Sequence, residues 1–177
     1  MATNASVTIM SYNCRGFNKL KCDYIKSLFA SCNILLLQEH WLSDDQLTML
    51  GSIESIDSMF SHIAVSGFGN SDVLDGRPYG GCAILWRSDM SIKVNTVDTN
   101  SKRVCAACMM NDNLKLLVIC VYMPYEGNNE MTDELIEQLA VVDDVIAANQ
   151  DCHIVVGGDF NVDFARDRLH TTLLDSF

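Results

Sequence analysis

The segment Ile154–Asp163 constrains the fold of this chain more than any other stretch. Three β-branched residues at its start predict a short buried strand, and the glycines that follow allow a tight turn. The polar residues after the turn are Asp159, Asn161 and Asp163. A carboxylate just past a buried strand is held rigidly yet remains reachable by solvent, which suits a metal ligand or a general base. The same residues also form ordinary turns, so this segment alone leaves both interpretations open.

Length and composition indicate a globular, intracellular protein. The chain has 177 residues, of which 49% are hydrophobic, enough for a single domain with a sizeable core. The longest apolar run, Leu116–Met123, is too short to span a bilayer, so no membrane association is expected. The N-terminus lacks the pattern of a secretory signal. The eight cysteines lie in apolar segments, and we interpret even the closely spaced Cys105 and Cys108 as core residues of a cytoplasmic or nuclear protein.

The net charge of −11 argues against a protein that coats nucleic acid passively, because phosphate binding needs a basic face. It does not exclude an enzyme that reaches phosphate through a bound cation, because the carboxylates of such a site add to the negative total. The alternative is that the charge simply keeps the surface soluble.

Hydrophobic periodicity predicts a chain that begins strand, helix, strand, helix and continues with several strands, a helix and a last strand. The predicted strands are Val7–Tyr12, Ile34–Leu37, Gly81–Trp86, Ile92–Asp98, Val104–Met110, Leu114–Tyr122 and one at Ile154. We expect the four between Gly81 and Tyr122 to be antiparallel. The predicted helices are Asn18–Ser31, one with a capping box at Ser43 and Gln46, one capped by Thr132, and a short one at Asp167–Leu174. Gly67–Gly81 is predicted to be a long loop. This order indicates two sheets with helices packed outside them.

Four of the apolar strands end in side chains of catalytic type. These side chains are Asn13 after the first strand, Gln38 and Glu39 after the second, Tyr122 at the end of another, and Asp159 and Asn161 after the last. A shared rim would combine two carboxylates, which are hard ligands for Mg²⁺ or Mn²⁺, with amides that orient water and a phenol that donates to phosphate. Cys105 and Cys108 have the spacing of a zinc-ligand pair, but no second pair or matching histidine completes a zinc site, and the sequence has no nucleophile elbow or P-loop.

Several motifs occur in an order that resembles the endonuclease/exonuclease/phosphatase superfamily, which has the DNase I-like fold. They are Ser11–Gly16, Leu36–Glu39, Gly80–Trp86, Val121–Pro124 and Gly158–Asn161, and together they span nearly the whole chain. A narrower match, carried by Gln38–Leu42, Gly76–Gly81 and Asn161–Phe164, is similar to the endonuclease domain of non-LTR (LINE-type) retrotransposons.

The resemblance implies a four-layer α/β/β/α sandwich with two mixed sheets, and Mg²⁺- or Mn²⁺-dependent cleavage of phosphodiesters. It implies that Glu39 ligates the metal with Asn13 beside it, and that Tyr122 contacts the scissile phosphate. Asp159 would orient or deprotonate the attacking water, and Asn161 would hold the site together. The implied substrate is DNA, nicked in one strand, and the full-length element would also encode a reverse transcriptase.

The chain departs from this pattern at its C-terminal end, because the Ser-Asp-His tripeptide that closes the family's motif set does not occur. We therefore expect residues 1–177 to form one domain that lacks its last strands and an essential catalytic pair. Two alternatives to the endonuclease remain, a phosphatase on a small phosphorylated substrate and a catalytically inactive remnant. Arg77 and Tyr79 in the long loop either contact DNA or are an ordinary loop arginine and a packed tyrosine.

Overall fold

The computed structural model describes residues 6–53, 60–69, 78–112, 114–125 and 129–162. Eight strands and two α-helices make up most of these residues, together with a 3₁₀ helix, Asp44–Ile53. The elements in chain order are β1 (Ile9–Asn13), α1 (Lys19–Leu28), β2 (Ile34–Gln38), β3 (Phe60–Val65), β4 (Cys82–Arg87), β5 (Lys93–Val97), β6 (Val104–Asn111), β7 (Leu114–Tyr122), α2 (Asn129–Ala147) and β8 (His153–Asp159).

The first sheet has the strand order β1-β2-β4-β3. Strands β1 and β2 are parallel, with Asn13 in register with Gln38, whereas the β2–β4 and β3–β4 pairs are antiparallel. Because parallel strands end at the same edge of a sheet, the polar residues that follow β1 and β2 emerge side by side.

The second sheet repeats this arrangement with the order β5-β6-β7-β8. Strands β5, β6 and β7 are antiparallel to their neighbours, and β8 runs parallel to β7 with Tyr122 in register with Asp159. Each mixed sheet therefore brings one pair of predicted site residues to an edge. The pair is Asn13 and Gln38 in the first sheet and Tyr122 and Asp159 in the second.

Strand β2 shows how the layers are stacked, because all five of its residues are buried. Ile34 and Leu36 pack between the two sheets, whereas Leu35 and Leu37 pack on the outer face of the first sheet against α1 and the 3₁₀ helix. Burial on both faces explains the continuous apolar run in this strand.

The outer face of the second sheet is covered by α2, which buries Leu135, Leu139 and Val142 as its helical period predicts. The predicted four-layer α/β/β/α sandwich is therefore confirmed. All eight cysteines are buried free thiols, which agrees with a core role for Cys105 and Cys108. Within the described ranges, neither helix combines the length and apolar character needed to cross a membrane.

Three predictions about individual elements were wrong. Strand β3 was missed because its six residues are only half-buried and include Ser61 and His62, so no clear alternation marks it. The segment after Ser43 is a 3₁₀ helix, although the side chain of Gln46 accepts from the backbone N–H of Ser43 at 3.2 Å, which is half of the predicted capping box. Helix α2 begins at Asn129, three residues before the predicted cap Thr132.

The expected run of four antiparallel strands is divided between the sheets. Strand β4 pairs with β2 and β3, and the chain then crosses to the second sheet to begin β5. Periodicity along one strand carries no information about which sheet the strand joins. The predicted helix at Asp167–Leu174 lies outside the described residues.

Candidate active site at the joined strand ends

The side chain of Asn13 joins the two sheets at their common rim. Its amide nitrogen donates to Oε1 of Glu39 at 2.8 Å and to Oδ2 of Asp159 at 2.7 Å. Asn13 and Asp159 are 146 residues apart in sequence. The structure thus brings together three of the residues that were predicted from separate strand ends.

The Glu39 loop, residues 39–42, is held by segments on both sides of it. The backbone N–H of Gly16 donates to the carbonyl of Glu39 at 2.7 Å, and the N–H of Glu39 donates to the carbonyl of Gly81 at 2.9 Å. Glu39 itself has a left-handed backbone, with φ of 55°. The indole N–H of Trp41 donates to its Oε2 at 3.1 Å, so each carboxylate oxygen has one donor.

His40, the next residue after Glu39, is fully buried. The N–H of Leu42 donates to its Nδ1 at 3.1 Å, so the ring proton lies on Nε2 and is donated to the carbonyl of Val65, also at 3.1 Å. Burial lowers the pKa of His40 to about 4. The imidazole is therefore neutral at physiological pH, and its role in this loop is to support the backbone.

The Asp159 turn, residues 158–161, depends on a close approach between two strands. Gly158 has φ of 146°, and a Cβ at this position would lie 2.0 Å from the carbonyl oxygen of Val121. After the turn, the N–H of Asn161 donates to Oδ1 of Asp159 at 3.1 Å, and its side-chain amide donates to the carbonyl of Met123 at 2.7 Å. Asn161 therefore orients the carboxylate and ties the turn to the end of β7.

Tyr122, at the end of β7, is half-buried and faces the two carboxylates. Burial and the nearby negative charge of Glu39 raise the pKa of the Tyr122 phenol above its usual value. The hydroxyl therefore remains protonated at neutral pH and is available as a hydrogen-bond donor.

A cavity of about 340 Å³ opens beside Tyr122. Tyr79 lines it with its side chain half exposed, whereas Arg77 and Asp163 lie outside the described residues. Arg103 also lines the cavity, although its sequence context suggests only a solvated hairpin. The pairing of Val104 with Val121 places Arg103 next to Tyr122, a proximity that the β6–β7 register determines and that sequence periodicity does not reveal.

The donor set fits a divalent cation of the magnesium type. Each oxygen of Glu39 and of Asp159 accepts one N–H and keeps a further lone pair. Mg²⁺ usually takes one or two carboxylates and completes its octahedron with water and substrate phosphate. In the part of the chain that the structure describes, no group of three or more acidic, cysteine or histidine side chains is arranged to hold a metal. An ion here would therefore depend on water and substrate for its other ligands.

A comparison of the sequence with models of protein families identifies the family of this chain. The sequence matches the Endonuclease/Exonuclease/phosphatase family over residues 10–176. The chain belongs to this family. Its members generally depend on a divalent metal ion, so membership supports metal-dependent hydrolysis of phosphate esters. A search of curated proteins found no match.

Several solved structures have the same fold as this chain, although their sequence identity to it is low. The endonuclease domain of TRAS1, a telomere-specific non-LTR retrotransposon, is 12% identical with a TM-score of 0.69, covering 96% of this chain and 70% of that one. An AP endonuclease from Leishmania major is 12% identical with a TM-score of 0.66, covering 88% of this chain and 55% of that one.

A 3′ phosphatase from Neisseria, bound to a product DNA hairpin, is 20% identical with a TM-score of 0.58. The match covers 89% of this chain and 58% of the Neisseria phosphatase. The chain therefore corresponds to little more than half of two of these structures and to 70% of the TRAS1 domain.

Proposed function

We propose that this family member is a retroelement-type DNA endonuclease that nicks one DNA strand with the help of Mg²⁺ or Mn²⁺. The observation that carries the proposal is the amide of Asn13 bridging the carboxylates of Glu39 and Asp159. This contact supports the proposal because it holds a carboxylate that could ligate the cation close to a candidate base, with the Tyr122 hydroxyl beside them.

Glu39, with Asn13 beside it, would hold the cation. When bound, the ion would act as a Lewis acid on the phosphate and as a template for its orientation. The indole of Trp41 keeps one oxygen of Glu39 in place, which leaves the carboxylate a defined direction for a ligand.

Asp159 is the candidate base for the attacking water. Asn13 and the backbone N–H of Asn161 each bind one of its oxygens, so its orientation is set before substrate arrives. Tyr122 would donate its hydroxyl proton in a hydrogen bond to a non-bridging phosphate oxygen. Phosphate-ester hydrolysis requires on the order of 20 kcal/mol of barrier reduction, so these groups must act together.

Two features favour DNA over a small phosphorylated substrate. The half-exposed ring of Tyr79 beside the site offers a face on which a base can stack. The TRAS1 endonuclease domain and the DNA-bound Neisseria phosphatase have the same fold. A retroelement endonuclease would act inside the cell alongside a reverse transcriptase of the same element.

Nicking of supercoiled plasmid in the presence of Mg²⁺ tests this function. We expect the wild-type protein to nick, and we expect Asp159→Ala and Glu39→Gln to lower the rate by about 10²–10³ or more. Asp151→Asn is the matched control, because Asp151 is an exposed carboxylate that pairs with Lys115 on the surface. Folded wild-type protein that does not nick, or nicking that survives both site substitutions, would overturn the proposal.

The alternatives give different results in parallel assays. A phosphatase would release phosphate from a small monoester such as an inositol phosphate, with the same dependence on Asp159, and would leave the plasmid intact. A catalytically inactive remnant would hydrolyse neither substrate while remaining folded by circular dichroism.

A further inference from the structure

Arg103 makes a set of contacts that converge on Tyr122. Its guanidinium pairs with Glu134 of α2 through two bonds, Nε to Oε1 at 2.7 Å and Nη2 to Oε2 at 3.4 Å. The remaining terminal nitrogen, Nη1, donates to the carbonyl of Tyr122 at 3.4 Å, and the guanidinium carbon lies 5.6 Å from the centre of the Tyr122 ring. The carbonyl of Arg103 accepts from the N–H of Tyr122 at 2.9 Å.

This guanidinium is committed to contacts within the protein. The Arg103 side chain is only 19% exposed, and all three of its nitrogens have a partner in Glu134 or Tyr122. A planar guanidinium can form a two-point ion pair and cover an aromatic ring at the same time, which an ammonium group cannot do. The geometry therefore differs from that of an arginine extended toward solvent to meet a DNA backbone.

Helix α2 also contacts the segment between β5 and β6, which contains Arg103, at a second residue, Ser101. The Ser101 hydroxyl donates to Oε1 of Gln138 at 2.5 Å and accepts from the backbone N–H groups of Arg103 and Val104 at 2.9 and 3.2 Å. Glu134 and Gln138 are four residues apart and so share a face of the helix. Helix α2 therefore holds the segment between β5 and β6 through hydrogen bonds at both Ser101 and Arg103.

We propose that Arg103 and Glu134 are positioning residues for Tyr122. Glu134 fixes the guanidinium, and the guanidinium fixes the Tyr122 ring and backbone so that the hydroxyl stays beside Glu39 and Asp159. The catalytic consequence of this positioning rests on the proposed function, since it assumes that Tyr122 contacts the scissile phosphate.

The arrangement of Tyr122 can be measured without any activity. We would label the five tyrosines with 3-fluorotyrosine and assign the Tyr122 resonance in the fluorine NMR spectrum by its loss in Tyr122→Phe. Arg103→Gln and Glu134→Gln should both shift this resonance. Arg87→Gln, which breaks an exposed pair with Asp89, is the matched control.

Nicking kinetics separate positioning from direct DNA binding. If Arg103 and Glu134 position Tyr122, each glutamine variant lowers kcat by about tenfold with little change in KM, because misplacement of a reacting group affects the transition state. If Arg103 instead binds a phosphate directly, Arg103→Gln raises KM and lowers the salt dependence of binding by about one phosphate contact. In that case Glu134→Gln frees the guanidinium, and kcat does not fall.

The proposal is overturned if Glu134→Gln leaves both kcat and the Tyr122 resonance unchanged. Failure of the proposed function gives a different result, namely wild-type protein that does not nick DNA at all. The fluorine spectra then still decide whether Arg103 and Glu134 hold Tyr122, because they require only folded protein.

Discussion

The Glu39 loop and the Asp159 turn supply the two carboxylates of the site by different structural means. The Glu39 loop follows β2, an interior strand that is buried throughout, and it is clamped by backbone bonds from Gly16 and Gly81 around the buried ring of His40. The Asp159 turn follows β8, whose described residues are half-buried or exposed at the edge of the second sheet. It is held by the contact of Gly158 with β7 and by Asn161.

The difference shows that the two carboxylates of this candidate site are oriented with different degrees of burial of the strands that carry them. One carboxylate is carried by a backbone loop that a buried polar ring supports through its hydrogen bonds, so this support is sensitive to protonation. The other is fixed by two backbones in direct contact, so its support is sensitive to any added side-chain atom. Each region should therefore fail under a different perturbation.

The largest effect is expected from Gly158→Ala, because the added Cβ would meet the backbone of Val121, which cannot move aside. We expect a loss of about 3 kcal/mol or more in the free energy of unfolding, measured by urea denaturation. Gly81→Ala, which has φ of 89° and would meet the His40 ring at 2.3 Å, should cost less because a side chain can shift. Gly51→Ala is the control, with its nearest contact at 3.9 Å. A greater loss for Gly81→Ala would contradict this comparison.

Acid should weaken the Glu39 loop through His40. The unfolded chain binds a proton at His40 below about pH 6.5, whereas the folded protein resists protonation until about pH 4. The unfolded state therefore binds more protons in this window, and stability falls as the pH drops through it, by about 3 kcal/mol in total. Urea denaturation between pH 7 and pH 4 measures the loss.

The variant His40→Gln should have a flatter dependence of unfolding free energy on pH than the wild type. His62, whose pKa is also lowered by burial, contributes in the same direction and is present in both proteins, so the difference isolates His40. His153→Gln, at the exposed start of β8, is the control for the replacement of a histidine by glutamine. Equal slopes for His40→Gln and the wild type would show that the loop does not depend on a neutral ring.

The link between the two regions is tested by Asn13→Ala. This variant leaves both carboxylates in place but removes the one amide that binds them together. We expect the nicking rate to fall by about 10², as for loss of one contact that orients reacting groups. Asn95→Ala, on the exposed face of β5, should nick at the wild-type rate. An active Asn13→Ala variant would mean that each region is oriented independently of the other.

Much of this site could be predicted from the sequence because strand ends are visible in it. Apolar runs locate β1, β2, β7 and β8, and the residues after them converge since parallel neighbours end at one edge. Asn13, Glu39, Tyr122 and Asp159 are therefore brought together as predicted, while their roles in catalysis remain proposals.

The features that could not be predicted all depend on tertiary contacts. The left-handed backbone of Glu39 is imposed by neighbours on other segments, and no local residue signals it. Arg103 reaches Tyr122 through strand register, and Glu134 reaches Arg103 through the packing of α2. Strand β3 is recognisable only by its pairing with β4. Sequence periodicity reports the burial pattern of one element, whereas these features arise between elements.

The smallest effect distinguishes two roles for Trp41 in the Glu39 loop. Trp41→Phe removes the indole N–H that binds Oε2 of Glu39 and keeps an aromatic ring against Gly16. If the indole orients a metal ligand, affinity for Mn²⁺ measured by calorimetry should weaken by about tenfold while unfolding free energy changes little. Trp86→Phe, on β4, should bind Mn²⁺ as the wild type does. Unchanged Mn²⁺ affinity with lower stability would make Trp41 a packing residue, leaving the backbone clamp as the main support of Glu39.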